Sequence, residues 1–130
     1  MVLSRPVMDP TSIPLSATAD ALPEFWSQTV VGEANGSLFR VAKGTGVTEW
    51  HSHADQDEVF VVTRGELIIE LRSGDVRVGE GELFIVPRDV EHRPRAEAEA
   101  HFLIVGRTVT SNAEGGKPSW SASGGTPPAS

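Results

Sequence analysis

Between residues 37 and 107 this chain is a succession of short apolar runs cut by turn residues at close intervals, with no stretch long enough to sustain helical periodicity. The runs 37–41, 49–53, 58–63, 66–72, 76–78, 82–86, 92–94 and 101–107 are rich in Val, Ile, Leu and Phe, and Gly65, Ser73-Gly74-Asp75, Gly79-Glu80-Gly81 and Arg88-Asp89 separate them. Such runs pair as antiparallel strands, because short turns join neighbours without the long crossover that parallel strands need. The expectation is an all-β sandwich or barrel. Only 19–26 is expected to wind into a helical turn or two.

Chemistry concentrates in four residues. His51 and His53 are two apart, so on an extended segment both rings face the same side, whereas a helix would splay them. Glu58 follows after a short bend and His92 arrives from far along the chain. Three imidazoles and one carboxylate can therefore meet around one divalent cation, provided the fold closes. The chain has no cysteine, so thiolate ligands and disulfides are excluded and any metal must be held by nitrogen and oxygen. His101 and Glu49 are the weaker candidates for a proton-transferring catalytic group.

Size and charge limit the rest. With 130 residues, 38% of them hydrophobic, the chain fits one domain with one modest core. The proline-containing stretch 1–20 reads as an N-terminal arm, 21–110 as the barrel, and the Gly, Ser and Pro-rich stretch 111–130 as a disordered tail whose one anchor is Trp120. A formal net charge of -7 with eleven scattered Lys and Arg argues against a nucleic-acid partner. No apolar run approaches the ~20 residues of a membrane span and the start lacks the apolar core of a signal peptide, so the expected compartment is cytoplasmic.

Gly46, His51, His53, Glu58 and Gly65, then Gly81, Pro87 and His92, resemble the two signature motifs of the cupin superfamily, and the stretch 51–94 is especially similar to small bacterial cupins labelled mannose-6-phosphate-isomerase-like. The resemblance covers roughly residues 25 to 107. It implies a double-stranded β-helix, or jelly-roll, barrel with flexible termini, and it makes His51, His53, Glu58 and His92 the ligands of one divalent transition metal. Asp89 stands where the second motif usually has Gly, Ala96 where it often has Asn, and Gly46 lies one residue closer to His51 than usual. Asp89 is expected to keep the turn, since Asp tolerates left-handed backbone better than most residues.

Four N,N,N,O ligands leave two positions open around an octahedral Fe, Mn, Ni or Co ion, whereas a tetrahedral Zn held by all four would be closed. Parity from Glu58 places Phe60 and Val62 inside and Val59 and Val61 on the opposite, also apolar, face. Parity from His92 places Pro94, Ala96, Ala98, Ala100, Phe102 and Ile104 inside and His101 outside, unless 96–100 holds a hairpin turn. Phe60, Val62, Gln56, Phe84, Phe102 and Arg40 complete the candidate pocket, with the aromatics read as core first. Arg40 is the cation an acidic substrate would want, yet its strand does not alternate cleanly and buried arginine is rare, so it is expected to face solvent.

These observations lead to a metal-dependent enzyme for a small oxygen-rich molecule: an isomerase, epimerase or lyase using the ion as a Lewis acid, or an iron-dependent dioxygenase. The alternative is a non-catalytic small-molecule-binding or accessory cupin. The apolar Val59 and Val61 face and the N-terminal arm point to a homodimer. Loss of metal is expected as pH falls below about 6, because imidazole ligands must be neutral.

Overall fold

A computed structural model describes residues 11–107. Helix α1 (Leu15–Asp20) is followed by strands β1 (Gln28–Ala34), β2 (Ser37–Val47), β3 (Glu58–Arg64), β4 (Glu66–Leu71), β5 (Gly74–Gly79), β6 (Leu83–Val86) and β7 (His92–Gly106). Every pairing is antiparallel, as the short turns require. The expected disordered tail at 111–130, its Trp120 anchor and the first ten residues of the expected arm lie outside the described residues. No helix among the described residues is long and apolar enough to cross a membrane.

β7 organises the barrel because it serves two layers. Its second half lies between β2 and β3, with Phe102 opposite both Ala42 and Val62. Its first half pairs with β4, with His92 opposite Leu71 and Pro94 opposite Ile69. One layer therefore runs β1-β2-β7-β3-β6, and the other joins β4 and β5 to the start of β7. The register breaks between Gly44↔Ala100 and Gly46↔Ala96, so four steps of β7 face two of β2. Gly46 takes φ 84 there, in the left-handed region that glycine reaches without a Cβ clash. The surplus leaves Glu97, Ala98 and Glu99 exposed.

That bulge corrects two expectations. The runs 92–94 and 101–107 belong to one 15-residue strand, with no hairpin between them, and Ala98 faces solvent. Because the surplus is even, parity survives: Ala96, Ala100, Phe102 and Ile104 all enter the core, where they meet Phe60, Val62, Leu67 and Ile69. The expected strand 49–53 is reduced to a single bridge between His51 and His92. β1, absent from the expected set, is an edge strand whose Gln28-Thr29-Val30 start and Gly32-Glu33-Ala34 end carry little apolar patterning. The helix lies N-terminal to its expected place at 19–26, since Pro23 disfavours helical backbone at Leu22. Residues 15–20 of the expected extended arm are thus helical.

Trp26 closes one end of the core. It is buried with φ 68, its backbone N–H donates to Lys43 O at 2.6 Å, and its indole Nε1–H donates to Thr45 O at 3.0 Å. The ring lies against Phe102, with centroids 5.8 Å apart, and over the bare Cα of Gly44. On the outer side α1 packs against β2, β3 and β7, burying Ala19 and His101. β6 stays uncovered there, with Leu83 58% and Ile85 49% exposed beside half-buried Val61 and Val59. Trp50 packs on the other layer's outer surface under Arg72, whose guanidinium carbon is 3.7 Å from its ring centroid.

Candidate metal centre

The fold brings His51, His53, Glu58 and His92 together: one donor atom from each lies within 4.8 Å of the others. Backbone pairing does most of the positioning. His51 and His92 exchange N–H···O bonds in both directions, at 3.0 and 2.9 Å, which brings their tilted rings together with centroids 4.1 Å apart. His53 is tied to the β6–β7 turn, where Asp89 N–H donates to His53 O at 2.7 Å. Asp89 takes φ 69, so it does preserve the left-handed turn in place of glycine. Glu58 opens β3 opposite Val86, with Phe60 and Val62 on the same inward face.

Second partners fix the ring tautomers. His51 Nδ1 lies 2.9 Å from Glu49 O and His92 Nδ1 lies 2.9 Å from Val90 O. A carbonyl only accepts, so each Nδ1 carries a proton and each Nε2 is the atom left to face the centre. The Nε2 atoms of His51 and His53 are buried without a hydrogen-bond partner. His92 Nε2 is 3.2 Å, and His53 Nε2 3.4 Å, from Glu58 Oε1. A proton on Nε2 lets such a ring face the carboxylate, and a bound cation would take the place of that proton. A divalent ion satisfies all four atoms at once, so this donor set fits a metal.

The electrostatics agree. Burial alone would raise the Glu58 pKa, but His53 and His92 beside it prevail and hold it well below the usual carboxylate range. His51 is pushed down to about 3, mainly by burial and then by the neighbouring His92 charge, which outweigh the attraction of Glu58. Both groups thus keep their metal-binding forms far into the acid range.

The remaining candidates divide sharply. Phe60 and Phe102 pack at a tilt in the core, with Phe60 edge-on 6.2 Å from the His92 ring, and Val62 joins the same cluster. Phe84 is half-buried against the same cluster. Glu49 is exposed and contributes only its carbonyl. His101 is buried beneath α1 on the outer side of the sheet, where Nε2 meets Glu99 Oε2 at 2.8 Å and Asp20 Oδ1 at 3.6 Å, so it is not part of the centre. Gln56 is buried, with Oε1 accepting from Arg107 N–H at 2.7 Å, and is no mere surface-loop residue. Arg40 contradicts the solvent-facing expectation: it is 1% exposed, on the inner face with Ala42. Both faces of β2 are buried at Arg40-Val41-Ala42, which removes the alternation that would have given its direction away.

Comparison with known proteins follows the same lines. A family model described as "Cupin domain" matches residues 37–106. The protein YdbB of Bacillus subtilis is 32% identical over 92 residues, covering 70% of this chain and 81% of the relative. Acireductone dioxygenase of Rhodopseudomonas palustris is 32% identical over 127 residues, covering 92% of this chain and 72% of the relative. A crystal structure of a cupin-2 domain containing protein from Shewanella frigidimarina superposes with a TM-score of 0.69 at 35% identity, over 72% of this chain and 91% of that one.

Proposed function

Because this chain belongs to the cupin domain family and gathers three imidazoles and a carboxylate inside its barrel, we propose that it is a divalent-metal-dependent enzyme acting on a small oxygen-rich molecule. The observation that carries this reading is the pair of buried, partnerless Nε2 atoms on His51 and His53 beside the Glu58 carboxylate. Iron bound there would supply oxygen chemistry, and Mn, Ni, Co or Zn would supply Lewis acidity. The chain's own part is to hold and orient: Glu49 O and Val90 O aim two rings, and the Phe60 and Phe102 layer excludes water from one side.

Two supports favour the iron-dependent dioxygenase over an isomerase, epimerase or lyase. Isomerisation needs a base to move a carbon-bound proton, yet Glu58 belongs to the donor set, Glu49 faces solvent and His101 lies across the sheet. The relatives named acireductone dioxygenase supply the second. The test is metal analysis of freshly purified protein, followed by oxygen uptake after iron loading with small enediols, including an acireductone, and 2-oxo acids. About one ion per chain with substrate-dependent uptake is expected. A metal-loaded protein that consumes no oxygen with any of them returns the reading to Lewis-acid chemistry or to a non-catalytic binder.

Acid should strip the ion, since protons compete for Nε2. Loss of metal is expected as pH falls below about 6, and His51, pushed down to about 3, is not the ring whose protonation begins it. In metal-free protein the sign is the same for stability. The unfolded chain takes up the His51 proton near ~6.5 while the folded chain refuses it until about 3, so stability falls as pH drops through that window, by up to ~1.4 kcal/mol per pH unit.

We also propose a homodimer paired through the outer face that carries Leu83 and Ile85, the large apolar side chains β6 leaves in solvent. Sedimentation should give twice the chain mass, and Leu83→Glu should return the monomer. A wild-type mass of one chain rejects the pairing.

A further inference from the structure

Arg40 has no role in the metal centre as described, and its surroundings are unusual for an arginine. It projects from the middle of β2 into the barrel, opposite Ile104, which in turn faces Phe60 on β3. Glu58 is two residues before Phe60 on that same inner face, and its negative charge acts on the guanidinium. Buried arginine normally has all its N–H groups engaged, because each one left unpaired away from water costs free energy.

Here the engagement is one-sided. Nη1 donates to Gln28 Oε1 at 3.0 Å, while Nε and Nη2 are buried with no partner. Those two atoms form one edge of the guanidinium, and their N–H bonds run parallel. That edge matches the two oxygens of a carboxylate, as a lysine ammonium cannot. Gly106 lets the guanidinium and Gln56 pack close to the backbone of β7, since a Cβ there would overlap Gln56 Oε1 and come within 3.2 Å of Arg40 Nη2.

The charge balance points the same way. A divalent ion beside Glu58 and Arg40 leaves the barrel interior two positive charges in excess. Excess charge in a low-dielectric interior is costly unless a ligand neutralises it. A substrate with metal-chelating oxygens at one end and a carboxylate at the other would do so.

We infer that Arg40 is the carboxylate-recognition residue of this barrel, its free Nε and Nη2 edge gripping an acid group of a substrate whose other oxygens reach the His51, His53, Glu58 and His92 centre. This rests on the metal-dependent reading above and narrows its substrate to an organic acid. Retaining a half-satisfied buried guanidinium lowers stability, so the residue behaves as a functional group held at the fold's expense.

The experiment uses the full chain loaded with metal and titrated calorimetrically with malonate and succinate, each against its monoamide. One carboxylate can reach the ion in every probe, and only the diacids offer a second. The wild type should bind at least one diacid about tenfold tighter than its monoamide, a difference of ~1.4 kcal/mol. Arg40→Met should erase that preference, keep full metal content and raise the melting temperature. Arg40→Lys, which keeps the charge without the fork, should lose most of the preference and carries the test if the methionine variant fails to fold. Metal uptake with no diacid preference in the wild type, an undiminished preference in either variant, or a lower melting temperature for Arg40→Met would overturn the assignment of Arg40 alone. A wild type that takes up no metal would overturn it together with the reading on which it rests.

Discussion

His92→Ala is expected to leave the purified protein essentially free of metal, with affinity reduced at least ~100-fold, since losing a direct ligand costs more than the 10- to 100-fold typical of residues that merely support one. His92 is central because it joins the two ends of the site. Its ring approaches the Glu58 carboxylate at 3.2 Å, and its backbone fixes His51 from the other side of the barrel. Truncation also leaves a cavity and removes one of the groups that hold Glu58 ionised, so ~3 kcal/mol of metal-free stability should go with it. His51→Ala separates the two effects. Its ring is partly exposed, so metal should be lost at little cost to folding. Elemental analysis and thermal melts of both variants provide the readout. Full occupancy in His92→Ala would show that the distant ligand has been wrongly assigned.

Gly44→Ala should cost as much stability from a far smaller change in mass. A Cβ at this position would stand 2.6 to 2.7 Å from three atoms of the Trp26 ring, inside the distance that carbon atoms tolerate. The ring cannot swing aside, because Nε1–H is bonded to Thr45 O and the opposite face leans on Phe102. Overpacking of this kind costs ~1–3 kcal/mol, and displacing a buried indole brings the expected loss to about 3 kcal/mol. For a domain of this size that lowers the melting temperature by about 15 °C. Trp26→Leu should relieve part of the clash, so the double variant should be more stable than the two separate losses predict. Additive losses would mean that Gly44 and Trp26 do not share this contact.

Much of this architecture is legible in the chain because turns and alternation carry it. Gly65, with φ 80, falls where the residues announce it, as do the apolar runs of β3, β4 and β6, whereas the turn expected at Ser73-Gly74-Asp75 lies one step earlier at Arg72-Ser73, with Gly74 and Asp75 already paired in β5. The meeting of the candidate donors is legible for a related reason: spacing two places His51 and His53 side by side even though the bridge at His51 is all that forms of the expected strand. What escapes is whatever depends on partners distant in sequence. Arg40 sits in a strand buried on both faces, and only its alignment with Ile104 and Phe60 reveals that it points inward. β1 is specified by the neighbour it pairs with more than by its own residues, and Trp26 gains its place from a glycine eighteen positions away. His101 is buried with outward parity because α1 covers it, and no local pattern announces that cover.

The reciprocal main-chain bonds between His51 and His92, together with the Asp89 tether on His53, set the spacing of the donors without help from any ion. The receptor is therefore finished before its guest arrives. Charging it asks for dehydration of the incoming cation and hardly any refolding, so the cell's supply and each element's own coordination preference decide the occupant. If the chain is the metal-dependent enzyme proposed above, this finished receptor would take its chemistry from the element that fills it.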